Sequence, residues 1–141
     1  MKIINVLSAI TLALAFFMIS LVGYWKLHPY KLVEFQNAPF PILNENKIVK
    51  NGDRMRYKID YCKFTKESPR VVKYFVDGVI YEINTVDGIL EEGCHQTEMD
   101  VYVPKAIPTG VYSVKIVATF KPNPIREIKV VTQTLKFTVI K

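Results

Sequence analysis

The side chains best suited to nucleophilic or metal chemistry cluster around Cys94-His95, with Glu91, Glu92 and Glu98 close by. A thiolate nucleophile needs a base within reach and a third group to orient that base. A tetrahedral metal site needs four ligands at workable spacing. With 2 Cys and 2 His in the whole chain, neither set is completed at a recognisable spacing. Cys94-His95 therefore reads as a loop histidine beside a structural cysteine. Glu91-Glu92, following Asp87-Gly88, reads as a solvated turn rather than a pair of working acids. The sequence carries no phosphate-binding glycine loop, GxSxG elbow, HExxH helix or Asp-rich calcium loop. No catalytic, cofactor-binding or metal-binding residue is expected, and the chain reads as a non-enzyme.

Cys62 and Cys94 have a second use. In an exported, oxidising compartment they would be expected to pair, whereas in a reducing one they would be two separate buried thiols.

These residues hang on a chain whose first part differs from the rest. Ile3 to Gly23 holds no charged side chain and is interrupted by Asn5, Ser8, Thr11 and Ser20 alone among polar residues. A helix needs about 20 apolar residues to cross a hydrocarbon core about 30 Å thick. Tyr24, Trp25 and Lys26 follow, with His28 and Lys31 just beyond; aromatic rings beside cations suit a membrane interface. A cleaved secretory signal is the alternative. Ala13-Leu14-Ala15 falls too early for its cleavage site, and Ser20-Leu21-Val22 ends in the wrong residue. Residues 1–25 are accordingly read as an anchor, 26–46 as a stalk with a first extended segment, and 47–141 as a β-sandwich domain. Lys2 on one side and Lys26 and Lys31 on the other nearly balance the positive-inside count. The cysteines tilt the expectation towards an exported C-terminal domain, periplasmic in a Gram-negative cell.

The formal charge of +6 favours anionic partners. Its basic residues are scattered along alternating segments rather than gathered into an arm, so direct nucleic-acid binding is not expected.

Beyond the anchor, period-two patterning dominates. Pro29, Pro39 and Pro41 break the stalk around an extended candidate, Tyr30 to Gln36, and Asn51-Gly52 marks a turn. Met55, Tyr57, Ile59 and Tyr61 alternate with Arg54, Arg56, Lys58 and Asp60, the signature of a half-buried strand. Cys62 and Phe64 fall on the wet parity, so a bulge or a second packed layer is expected there. Val71 to Val76 and Val79 to Asn84 form a hairpin candidate around Asp77-Gly78, and Asp87-Gly88 marks another turn. Thr97, Met99, Val101 and Val103 alternate up to a Pro104-to-Pro108 break. Tyr112, Val114, Ile116, Ala118 and Phe120 form an inward row, and Lys121-Pro122-Asn123-Pro124 reads as a rigid turn. Ile128 to Leu135 and Lys136 to Ile140 are one strand or two separated by a bend, with Leu135, Phe137 and Val139 alternating. About seven short strands and no amphipathic helix point to an all-β sandwich.

The run Pro108-Thr109-Gly110-Val111-Tyr112-Ser113-Val114 resembles the start of a late strand in immunoglobulin-like and fibronectin-type domains. The resemblance implies that Gly110 serves a turn and that Tyr112 packs at the sandwich corner, its hydroxyl returning to backbone. The implied fold is an immunoglobulin-like β-sandwich carried on a transmembrane helix. Val114 stands where disulfide-bearing members have a cysteine, so the usual inter-sheet bridge does not carry over. If Cys62 and Cys94 pair, they tie the end of an early strand to the loop before Thr97.

The functional expectation is a single-pass membrane protein whose exported module is structural or protein-binding, as in an envelope or phage-associated complex. Its expected partners are the lipid bilayer, a membrane or envelope protein, and a second copy of itself. A secreted glycan- or peptide-binding domain and a membrane-linked enzyme with an unrecognised site are the alternatives. A nucleic-acid translocation accessory would require a contiguous basic stripe.

Overall fold

The computed structural model describes residues 2–77, 79–87 and 90–141. Helix α1, Lys2–Leu27, takes up the apolar stretch and ends two residues before Pro29. Thr11 donates its hydroxyl to the Leu7 carbonyl one turn back, which satisfies that polar group within the helix.

Nine strands follow among the described residues. They are β1 (Val33–Phe35), β2 (Ile48–Lys50), β3 (Arg54–Lys63), β4 (Arg70–Asp77), β5 (Val79–Asp87), β6 (Gly93–Tyr102), β7 (Gly110–Asn123), β8 (Arg126–Gln133) and β9 (Phe137–Ile140). A three-stranded sheet runs β1-β3-β6, and a six-stranded sheet runs β2-β9-β7-β4-β5 with β8 also on β7. Residues of both sheets form one core: Met55, Tyr57, Ile59 and Tyr61 from β3, and Phe75, Val114, Phe120 and Val139 from the larger sheet. The protein is thus a two-sheet β-sandwich preceded by an apolar helix.

Strand β7 organises the larger sheet. One edge pairs with β4 from Ser113 to Thr119, while the other pairs with β9 at Gly110 to Tyr112 and with β8 from Lys115 onward. Between β8 and β9 the chain bends at Thr134, whose backbone N–H donates to Val114 and whose hydroxyl accepts from the Val114 N–H. The two-strand alternative for residues 128–140 is the one realised. Leu135 lies in the bend, more exposed than Phe137 and Val139, which are buried in β9. The β2–β9 pair is the parallel one among the named strand pairs of this antiparallel assembly.

Several expectations change. No bulge occurs at Cys62, because β3 and β6 keep one register from Arg54↔Tyr102 to Lys63↔Gly93. Alternation simply continues: Cys62 faces outward, and Lys63 is buried on the inward row. The expected loop before Thr97 is already strand, since β6 begins at Gly93. Lys121-Pro122-Asn123 belongs to β7, and the turn falls on Pro124-Ile125. Gly78 and Gly88, the second residues of the two expected Asp-Gly turns, lie outside the described residues. Asn51-Gly52 does turn, with Gly52 at φ 92°, in the left-handed region that favours glycine.

The segment read as a stalk packs on the sandwich. Leu32 and Phe40 are buried in the common core, and the Phe40 ring stacks on Tyr57 with centroids 6.0 Å apart. Phe40 also bonds through its backbone to Gln133 and Leu135, bracketing the bend between β8 and β9.

Candidate functional site

Three places carry the residues singled out by sequence. The first is the end of α1. Tyr24 is exposed, Trp25 half-buried and Lys26 exposed. The Tyr24 and His28 rings lie 4.9 Å apart, and His28 meets Tyr30 edge-on at the same distance. The β7–β8 hairpin closes over this ladder. Asn123 donates from Nδ2 to the Trp25 carbonyl at 2.9 Å and to the Tyr30 hydroxyl at 3.1 Å. Arg126 donates from Nη1 to the His28 carbonyl at 2.6 Å, with its guanidinium over the Tyr30 ring. Carbonyls at a helix C-terminus have no partner within the helix, so side-chain donors from the sandwich cap them here. Asn123 and Arg126 escaped the sequence reading because their partners lie 98 residues away.

The second place is the start of β6. Cys62 and Cys94 are directly opposed Cα partners in β3 and β6 and form a disulfide across a sequence separation of 32. The bridge lies on the outer face of the small sheet, within one sheet rather than between two. On either side of Cys62, two inward residues hold the preceding loop. The Tyr61 hydroxyl accepts from the Glu91 N–H at 3.1 Å, and Lys63 Nζ donates to the Leu90 carbonyl at 2.7 Å. Burial raises the Tyr61 phenol above its ordinary pKa, against the lowering effect of the Glu91 N–H. His95 stays local: its Nε2 lies 2.9 Å from the Glu92 carbonyl, and its ring is tilted against Tyr61. Among the described residues no three His, Cys, Asp or Glu side chains gather where a metal ion could be held.

The third place is the corner before β7. Tyr112 is buried, and its hydroxyl donates to the Pro108 carbonyl at 2.9 Å. Its ring meets Phe75, Tyr81 and Phe137. Gly110 lies close beneath it: a Cβ there would come within 3.2 Å of Asp77 Oδ2 and 3.3 Å of the Tyr112 ring. Glycine admits this close approach at little steric cost.

Two further features have the character of surfaces. Strand β6 is the outer strand of the three-stranded sheet, and among the described residues nothing pairs with its far edge. At the opposite margin, Tyr30, Leu32, Val33, Ile128 and Val130 line a shallow groove of about 270 Å³ between β1 and β8, flanked by Lys31 and Glu34.

No protein-family model matches the chain, and no curated protein matches its sequence. Among solved structures, the chain is similar to the crystal structure of a Niemann-Pick type C2 protein from the Japanese carpenter ant. That likeness has a TM-score of 0.47 and 7% identity, covering 78% of this chain and 100% of the other.

Proposed function

We propose that the chain is a single-pass membrane protein whose sandwich, of immunoglobulin-like kind, is an exported and noncatalytic protein-interaction module. The observation that carries this reading is the helix. The most apolar 18 residues within Val6–Leu27 have a mean hydropathy of 2.4, and none of them is buried against the rest of the chain. Phe16 and Ile19 are more than two-thirds exposed (74% and 71%), and an apolar surface of this extent needs an apolar environment from elsewhere. A bilayer supplies it at the right thickness. The Cys62–Cys94 disulfide supports an oxidising side for the sandwich, and the Tyr112-to-Pro108 bond supports its immunoglobulin-like kind. The open edge of β6 offers ten residues, Gly93–Tyr102, to a partner strand.

Alkaline extraction of membranes tests the anchor: the full-length chain stays with the lipid, and its release into the wash would count against the proposal. Protease added to inverted vesicles should leave the sandwich intact if it is exported. Photo-crosslinkers at Gln96 and Glu98, exposed on β6, should then capture a protein partner from intact membranes.

A second reading, a secreted glycan- or peptide-binding domain, draws support from the Tyr30–Val130 groove. Cleavage near residue 23 and a soluble, monomeric product would select it.

A further inference from the structure

The β7–β8 hairpin does more than cap a helix. Its tip, Pro122 to Ile125, is chemically unusual for a solvent-facing turn. Ile125 is 51% exposed, an apolar side chain at the apex of a hairpin. Pro122 and Pro124 have no N–H to leave unpaired, and the Ile125 N–H is taken by Asn123 Oδ1 at 3.1 Å. Asn123 spends its amide hydrogens on Trp25 and Tyr30. With its donors absent or engaged, the tip gives up fewer hydrogen bonds on leaving water than a turn with free N–H groups.

The position of the tip points the same way. Asn123 touches the carbonyl of Trp25, in the last turn of α1. Two further residues reach at most about 7 Å, so with the Asn123 side chain and its hydrogen bond included, Ile125 lies within about 14 Å of the Trp25 carbonyl, about two and a half helical turns. Nearby charge is compatible with lipid head groups. Lys26 is exposed, Arg126 is held at the helix end, and Lys121 pairs with Glu127 at 3.0 Å. Glu67 also reaches the hairpin, accepting from the Lys121 N–H.

We propose that the Pro122–Ile125 tip is a second membrane contact, seating Ile125 in the interfacial layer beside Trp25 and fixing the sandwich upright on the bilayer. The proposal rests on the anchor reading, because the helix sets the level of the surface.

The test uses the chain's one tryptophan. Full-length wild type and the double variant Trp25→Phe, Ile125→Trp are reconstituted into phosphatidylcholine–phosphatidylglycerol vesicles. Some of the lipid carries bromine near the carbonyl end of its acyl chains, which quenches nearby indoles. Circular dichroism and an intact disulfide verify that the variant is folded. The expected result is loss of fluorescence from Trp25 in wild type and a similar loss, with a blue-shifted emission, from the indole introduced by Ile125→Trp. Quenching of Trp25 with none at position 125 overturns the hairpin contact and leaves the anchor standing. An unquenched Trp25 overturns the anchor reading, and the contact with it.

Discussion

Tyr112 packs against three aromatic rings while its hydroxyl donates to Pro108. Tyr112→Phe keeps the packing and leaves the carbonyl without this donor, so it should cost about 1 kcal/mol in denaturant titration. Lys73 on β4 is half-buried, with Nζ 5.6 Å from the Tyr57 ring centroid. Burial lowers its pKa from the usual 10.5, and the field of Asp100 opposes that shift only in part. The unfolded chain therefore binds more protons between the folded-state pKa and 10.5, and stability rises with pH across that window. Below it the cost of the buried charge is present in full. Lys73→Met should accordingly be more stable than wild type at neutral pH despite losing the ring contact. Melting curves taken at increasing pH should show the gap narrow towards 10.5. A gap that stays constant would place the effect in packing rather than in charge.

At the scale of elements, the small sheet depends on the β3–β6 ladder, and the disulfide ties that ladder at one end. Replacing both cysteines by serine should cost about 2–4 kcal/mol, the range for closing a loop of this length. Reduction of wild type should lower the denaturation midpoint to a similar degree. Strands β3 and β7 were legible because their two faces differ in solvent: the inward rows Met55-Tyr57-Ile59-Tyr61 and Tyr112 to Phe120 alternate strictly, and all are buried. The start of β6 was hidden because Gly93 to Gln96 lacks aliphatic side chains, and its pairing is set by β3 rather than by its own pattern. Pro122 concealed the end of β7 for a different reason. The β7–β8 register shifts between Phe120 and Asn123, and at such an irregularity a missing N–H costs little. The three-residue β2 had no period to read, and its partner is β9, about ninety residues on. Of the residues singled out, Tyr24, Trp25 and Lys26 and the two cysteines could be named from the chain's own pattern, and the Tyr112 corner from the resemblance of Pro108 to Val114 to immunoglobulin-like domains. Asn123, Arg126 and Lys63 could not, because contacts across distant strands define what they do.

Across the whole molecule, helix and sandwich are joined by side-chain bonds as well as by the chain. Asn123→Ala removes the bonds to Trp25 and Tyr30 together. Time-resolved anisotropy of Trp25 should then show larger and faster local motion, while the melting temperature of the sandwich falls only slightly. An unchanged anisotropy would mean that the remaining Arg126-to-His28 bond holds the junction by itself. The sheet topology carries a different consequence, one for biosynthesis. Strand β9 lies between β2 and β7, so the larger sheet stays incomplete until residues 137–140 have left the ribosome. Cys62 and Cys94 emerge well before that point, and their two strands need nothing from β7 onward in order to pair. If the sandwich is exported as proposed, the small sheet can be covalently locked while β7, β8 and β9 are still being made. The last strand then acts as a latch, joining an early segment of the chain to its centre in a single late step.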